Sequence, residues 1–347
     1  MVDFAGWSMP VQYTSIVSEH QATRTHCGLF DISHMGRLRF DGPGAVPFLD
    51  RLVTRRVTDM TPGRIRYGLV VNEQGGVLDD VLTYRLQDAG GGDYYCLVVN
   101  AGNRQKILDW LAPRLAEARD VTMTDVTRNW AMIAVQGPQA LELVRPVLEI
   151  DPAALKYYTG RETRIAGHGG VVSRTGYTGE DGVELMLGAN KAAEVWERLI
   201  AVGGVACGLG CRDTLRLEAA MPLYGHELTE SIDPYTADLG FAVDLEGREF
   251  TGRDALRRLS GQPSARTRVG LTLSGKRVPR EHFPVTKDGA AVGEITSGTF
   301  SPTLDTPIAM AYVDRACAAL DTKLMVDIRG RAEPARVVKL PFYRRQK

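Results

Sequence analysis

Long apolar runs are missing from this 347-residue chain. None approaches the ~18 residues that cross a bilayer as a helix. The nearest stretch, Leu199 to Cys211, is short and broken by glycines. Net charge is missing too. Lys+Arg and Asp+Glu each total 42, which removes any bulk attraction to nucleic acid or to an anionic membrane. Short basic pairs such as Arg55-Arg56 and Arg344-Arg345 read as solvated surface. Cysteine is scarce, with five scattered residues. That argues against a disulfide framework and for a reducing, cytoplasmic setting. The N-terminus shows neither a basic-then-apolar signal pattern nor an Arg/Ser-rich transit peptide. There is no P-loop, no G-x-G-x-x-G leading from strand into helix and no H-E-x-x-H. The six histidines lack metal-ligand spacing. Ser33-His34 and His26-Cys27 are sequence neighbours, which rarely face each other, so no triad is claimed. Cys207 and Cys211 lack the further ligands of a zinc site or a cluster and read as small buried thiols.

What is present is an ordinary globular mixture, 44% hydrophobic and 24% charged, long enough for two or three structural units. Alternation predicts strands at Gly36 to Asp41, Tyr67 to Asn72, Val77 to Leu86 and Tyr94 to Val99. A helix capped at about Asn100 follows, with Ile107, Leu111 and Leu115 on one face. A strand at Ala131 to Gln136 precedes a helix opened by Gly137-Pro138. Strands at Gly170 to Thr175 and Val183 to Leu187 flank a Gly-rich turn. Helices are expected after Asn190 and over Arg212 to Ala220. Beyond a linker and short helix at Arg248 to Leu259, only strand signals remain, at near-regular spacing from Val269 to Leu340. The fold class expected is α+β, with antiparallel sheets and a C-terminal all-β barrel.

Three segments carry candidate chemistry. Asn72-Glu-Gln-Gly-Gly-Val-Leu-Asp79-Asp80 is a Gly-Gly turn that runs into a strand holding two adjacent carboxylates. Burying either without a partner is costly. Successive strand residues point to opposite faces, so the two aspartates cannot act on one atom as a dyad. A functional role and simple satisfaction by backbone N–H groups or an arginine are equally open at this point. In Arg174-Thr-Gly-Tyr177-Thr-Gly-Glu-Asp-Gly-Val-Glu184, the tyrosine is able to stack on a flat ring. Glu184 is able to accept two parallel N–H donors; a solvated strand glutamate is the plainer reading. In Cys207-Gly-Leu-Gly-Cys211-Arg212-Asp213, the Arg-Asp pair at a helix start suits ligand binding or ion pairing.

With these residues in hand, the chain resembles the aminomethyltransferase (T-protein) family of the glycine cleavage system. The resemblance spans almost the whole length. It rests on Val2-Asp-Phe-Ala-Gly-Trp7, Gly28-Leu-Phe-Asp-Ile-Ser-His-Met35, Asn72 to Asp80, Ala134-Val-Gln-Gly-Pro138, Gly176 to Glu184, Cys207 to Ala219 and Thr296-Ser-Gly-Thr-Phe-Ser-Pro302, in that order. Family members carry a short lead before the first of these segments; here the chain begins at it.

The resemblance implies a three-lobed folate-binding fold. Residues 1–245 form an α+β region of two lobes, 1–41 plus 121–245 with 42–120 inserted, and 246–347 form the barrel. It implies tetrahydrofolate as co-substrate, no metal, and the lipoylated H-protein as partner. Asp79 is placed at the reacting centre, with Asp80 a structural partner on the other face. Glu184 grips the pterin edge, Arg212 contacts the folate, and Tyr67 and Tyr177 line the pterin pocket. Tyr157 or Tyr158 is a further wall, and Arg344 approaches the folate from the tail. A tetrahydrofolate-dependent demethylase is the alternative enzyme. A folate-binding protein of iron–sulfur assembly is the non-enzyme alternative, although its Lys-Gly-Cys-x-Gly-Gln-Glu motif is absent.

Overall fold

The computed structural model describes residues 1–262 and 264–346; Lys347, the last residue of the expected barrel unit, lies outside them. Three sheets organise the chain. A five-stranded antiparallel sheet runs in the order Ile65–Val71, Val77–Gln87, Asp93–Val99, Gly36–Asp41, Thr122–Asp125. A six-stranded sheet runs Gly160–Ile165, His168–Ser173, Gly182–Gly188, Trp130–Gln136, Gly28–Asp31, Val205–Ala206. Its last pairing is parallel and the others are antiparallel. A closed six-stranded barrel is built from Arg266–Leu273, Thr306–Asp314, Ala290–Ser301, Pro284–Lys287, Lys323–Asp327 and Ala332–Val338. Closure leaves that unit no unpaired edge.

Alternation along the strands sorts the core into layers. On the five-stranded sheet, Leu38, Phe40, Tyr95, Leu97 and Val99 meet Leu49 and the buried Ile107 and Leu111 of the helix Arg104–Glu117. The opposite faces of the same strands offer Tyr84, Leu86, Tyr94, Cys96 and Val98. These pack against Phe30, Met132, Ala134, Val171 and Met186 of the six-stranded sheet. That sheet's outer face carries Leu29, Ile133, Val135 and Leu185 under Val195 and Leu199 of the helix Ala192–Ala201. The result is helix, sheet, sheet, helix, with the barrel docked through the helix Leu209–Glu218. No helix among the described residues is long and apolar enough to cross a membrane.

The α+β class with a C-terminal barrel is as expected. The barrel holds a sixth strand, Pro284–Lys287, too short to read from alternation. Two expected boundaries move. The inserted sheet starts at Gly36 and ends at Asp125, wider than 42–120. Phe250 and Leu256 pack with Leu69, Val71 and Val77 of that sheet, so the segment before Arg266 belongs with the α+β region.

Candidate active site

A cavity of about 840 Å³ opens where the two sheets, the helix Leu209–Glu218 and the barrel converge. Tyr67 and Asp80 come from the five-stranded sheet, Met132 and Glu184 from the six-stranded sheet, Arg212 from the helix and Arg268 from the barrel. The size suits a small cofactor-like molecule.

The hairpin that delivers the aspartates is held tightly. Asn72 Oδ1 accepts from Gly76 N at 2.8 Å, and Gly75 takes φ +87°. A Cβ on Gly76 would lie 1.8 Å from the Glu230 carbonyl oxygen. The two aspartates then diverge as expected, but toward the reverse of the expected surroundings. Asp79 is fully buried and turns to the helix side of the sheet. It accepts from Asn100 N at 2.9 Å, Asn100 Nδ2 at 2.8 Å and Asn103 Nδ2 at 2.6 Å. Asp80 shares its face with Leu82 and Tyr84, looks between the sheets and lines the cavity. It accepts from Asn100 Nδ2 at 2.7 Å and from the Tyr67 hydroxyl at 3.3 Å. Asp79 was expected at the reacting centre and Asp80 in a structural position; the cavity instead meets Asp80. Burial raises both carboxyl pKa values, and the charge of Asp80 raises that of Asp79 further.

Glu184 stands on the cavity wall, 7% exposed, with Thr175 Oγ1 donating to its Oε2. Burial raises its pKa, against the pull of Thr175 and Arg212. The Arg212 guanidinium lies 4.3 Å over the Tyr177 ring, a cation–π contact. No ion pair of Arg212 is found among the described residues, which leaves its donors to the cavity. Tyr177 is fixed by its hydroxyl, which donates to the Pro222 carbonyl. Tyr67 stacks on Phe241 at 6.2 Å.

Of the paired tyrosines, Tyr158 lines the cavity and Tyr157 packs edge-on behind it at 4.8 Å. Arg344 does not reach the cavity. It is exposed and its guanidinium turns back to the Leu340 carbonyl at 3.4 Å. The tail leaves the barrel at that point, and the neighbouring Arg345 pairs with Asp181 at 3.2 Å.

The helix Leu209–Glu218 is anchored by buried charge. Arg216 bridges Asp213 at 2.8 Å and Glu227 at 3.1 Å. Glu218 accepts from Arg24 at 2.8 Å and from the Ser301 hydroxyl of the barrel. Arg212 therefore projects from a fixed rod. Glu19, Cys207 and Cys211 are the one trio among the described residues with metal-ligand proximity. Both Glu19 oxygens are already engaged by the backbone amides of Tyr13, Thr14 and Gly208, at 2.6, 2.8 and 2.8 Å. A hydrogen bond with Cys207, then burial, raises the Cys211 thiol. The trio staples the N-terminal loop to the helix start.

Three site residues escaped sequence reading. Asn100 looked like a helix cap; its side chain makes no cap bond and donates to both aspartates instead. Asn103, three residues on, joins it. The only signal was the pair of amides in Asn100-Ala-Gly-Asn103 at a strand end. His34 lines the cavity at 2% exposure, with no hydrogen-bond partner for its Nδ1 among the described residues. Burial and the charges of Arg212 and Arg37 push it down to about 3.

Two family models cover this architecture in series: the GCVT N-terminal domain over residues 1–247, and the glycine cleavage T-protein C-terminal barrel domain over residues 266–344. The chain belongs to the glycine cleavage T-protein family. An aminomethyltransferase of Streptomyces avermitilis is 47% identical over 356 residues, covering 100% of this chain and 94% of that one. One from Symbiobacterium thermophilum is 44% identical over 99% of this chain and 93% of that one. The crystal structure of glycine cleavage system aminomethyltransferase T from Bartonella henselae superposes with a TM-score of 0.91 at 34% identity. It covers 99% of this chain and 93% of that one. With T-proteins matching along the full length, neither the demethylase nor the iron–sulfur reading is favoured.

Proposed function

We propose that this protein transfers the methylene of an aminomethyl group, carried on the lipoyl arm of H-protein, to tetrahydrofolate. Ammonia is released and 5,10-methylenetetrahydrofolate forms. The methylene loses its bonds to nitrogen and sulfur and gains two to folate nitrogens. The two folate N–H protons end on ammonia and on the lipoyl thiol. The observation that carries the reading is one cavity whose wall brings together the carboxylates Asp80, from one sheet, and Glu184, from the other, with Tyr67, Tyr158, Tyr177 and Arg212. A flat pterin has one donor-rich edge, which Glu184 is suited to grip while tyrosine faces hold the ring. Arg212, without an ion-pair partner among the described residues, contacts the folate.

Loss of ammonia leaves positive charge on the methylene. A fixed carboxylate stabilises that charge best where water is excluded and its donors hold it still. Asp80, clamped by Asn100 and Tyr67, meets those conditions. No metal takes part in this scheme. The lobes divide the labour: the α+β region holds the pocket and the barrel closes one side. The setting is the cytoplasm.

The test is direct. Asp80→Asn enzyme is incubated with tetrahydrofolate and aminomethylated H-protein, and ammonia and methylenetetrahydrofolate are followed. Turnover falls ~100-fold or more, while folate affinity by calorimetry changes far less. Equal losses of binding and turnover refute the assignment.

A further inference from the structure

We propose that Asp79, which faces away from the cavity, governs Asp80 through the side-chain amide of Asn100, so that Asp79, Asn100 and Asn103 form a positioning unit behind the reacting carboxylate. The proposal rests on the reading that Asp80 is that carboxylate. The joint is one nitrogen atom. Asn100 Nδ2 lies 2.8 Å from Asp79 Oδ1, 2.7 Å from Asp80 Oδ1 and 3.2 Å from the Asp80 carbonyl oxygen. A side-chain amide carries two protons, so this one is fully committed to holding the two carboxylates together. Asn100 N and Asn103 Nδ2 fix Asp79 from behind. Asp79 and Asp80 leave opposite faces of the strand, yet they meet around its end at the same donor.

Asp79 is an expensive residue to keep for structure alone. It is fully buried and its donors are all neutral amides, with no ion pair among the described residues. Lys106, the cation on that side, is taken by the Tyr224 hydroxyl at 2.7 Å and Glu230 at 3.1 Å. An asparagine or serine would satisfy the helix start without burying a charge. What the carboxylate adds is negative charge close to Asp80. Two such groups do not titrate independently: each ionises less readily because the other is charged. Asp79 therefore sets how readily Asp80 ionises, and Asn100 sets where it points. The other groups facing the pair are Tyr67, Tyr158, Tyr177 and Arg268 on the cavity side, and Tyr224, Lys106 and Glu230 on the helix side. None places a cation within hydrogen-bond distance of either aspartate among the described residues.

The experiment is the pH profile of kcat/KM for the full chain with tetrahydrofolate and aminomethylated H-protein, in two variants that act in opposite directions. Asp79→Asn removes the neighbouring carboxylate from the shared donor, so Asp80 ionises at lower pH and the acid limb moves down. Asn100→Ser removes the shared donor, so both carboxylates hold protons more tightly and the acid limb moves up, with kcat reduced ~10-fold or more. Folate affinity by calorimetry stays within ~3-fold of wild type in both. If Asp79→Asn does not fold, Asn103→Ala, which removes a donor to Asp79 and none to Asp80, takes its place: Asp79 then carries less charge and the acid limb moves down, whereas a profile superposable on wild type overturns the proposal. A role confined to stability lowers the yield and the unfolding midpoint and leaves the acid limb of the folded enzyme in place; that result overturns the proposal. Failure of the underlying reading shows separately, as Asp80→Asn enzyme that retains turnover.

Discussion

Glu218 gives the sharpest test of how this site is held. It sits at the last turn of the helix that projects Arg212 and Arg216. Its oxygens gather Arg24 Nε at 3.1 Å and Nη2 at 2.8 Å, Thr303 Oγ1 at 2.8 Å, Thr303 N at 3.1 Å, His20 Nε2 at 3.2 Å and the Ser301 hydroxyl. One side chain thus ties the N-terminal helix Ile16–Thr25, the Arg212 helix and the barrel. Burial alone pushes the Glu218 carboxyl up. The His20 hydrogen bond and charge, the Ser301 hydroxyl and Arg24 outweigh it and hold the group down at about 2, against 4.5 for an ordinary glutamate. At ~1.4 kcal/mol per unit, that difference is worth about 3 kcal/mol of folding stability. The sign follows from the depressed value. The contribution is complete above pH 4.5 and disappears as pH falls toward 2. Wild type and Glu218→Gln are compared by urea unfolding, followed by tryptophan fluorescence, across that range. Near neutral pH the variant is less stable by ~3 kcal/mol, with Arg24 still paired to Glu180 at 2.9 Å. The gap between the proteins narrows as pH drops from 4.5 to 2. A gap that stays constant through that window refutes the reasoning.

Three further outcomes are expected. Tyr67→Phe removes the 3.3 Å donor to Asp80, so Asp80 ionises less readily and the acid limb of kcat/KM moves to higher pH; a profile superposable on wild type contradicts this. Glu184→Gln loses folate affinity first, by ~10-fold or more, the scale of a charge-assisted hydrogen bond; unchanged affinity by calorimetry removes the pterin-edge role. Gly76→Ala drives a Cβ to within 1.8 Å of the Glu230 carbonyl oxygen, a backbone atom with no rotamer to yield. It costs ~1–3 kcal/mol in urea unfolding and weakens turnover with stability, because the same hairpin carries Asp80; wild-type stability shows that the 230 segment moves freely.

Much of the fold was legible because period-2 alternation survives wherever one face of a strand meets a different layer from the other. Gly36–Asp41 reads off directly, and the ends of Val77–Gln87 fall within a residue of the pattern. The helix Ile16–Thr25 was not visible. Its buried residues are Glu19, His20, Thr23 and Arg24, so polar groups occupy the face that normally announces a helix. Gly160–Ile165 escaped for a related reason: an edge strand with Arg161, Glu162, Thr163 and Arg164 offers no apolar stripe. Glu184, Arg212 and Tyr177 stand out in the sequence because each is a costly or aromatic residue in or beside a Gly-punctuated segment, Tyr67 enters through the family resemblance, and the structure brings all four to one cavity. Arg344 was misplaced because the path of a tail beyond its last strand depends on packing that carries no periodic signal.

The two aspartates show where a sequence rule stops and packing begins. Alternation correctly separates Asp79 from Asp80, since neighbours on a strand face opposite sides. It does not say which side holds the ligand. Both faces of Val77–Gln87 are apolar beyond the aspartates, with Val81 on one and Leu82, Tyr84 and Leu86 on the other. The pattern is therefore symmetric with respect to the question. What breaks the symmetry lies elsewhere in the chain. The helix Arg104–Glu117 returns over the odd-numbered face and brings Asn100 and Asn103 against Asp79. The six-stranded sheet covers the even-numbered face but is held off it near Asp80, where Tyr67, Tyr158 and Tyr177 stand apart around a cavity. A carboxylate met by neutral amides on every side is sealed. One met by a phenol, an amide and open space is available for reaction. The choice between the two residues is made by tertiary packing around a strand whose own sequence is indifferent to it.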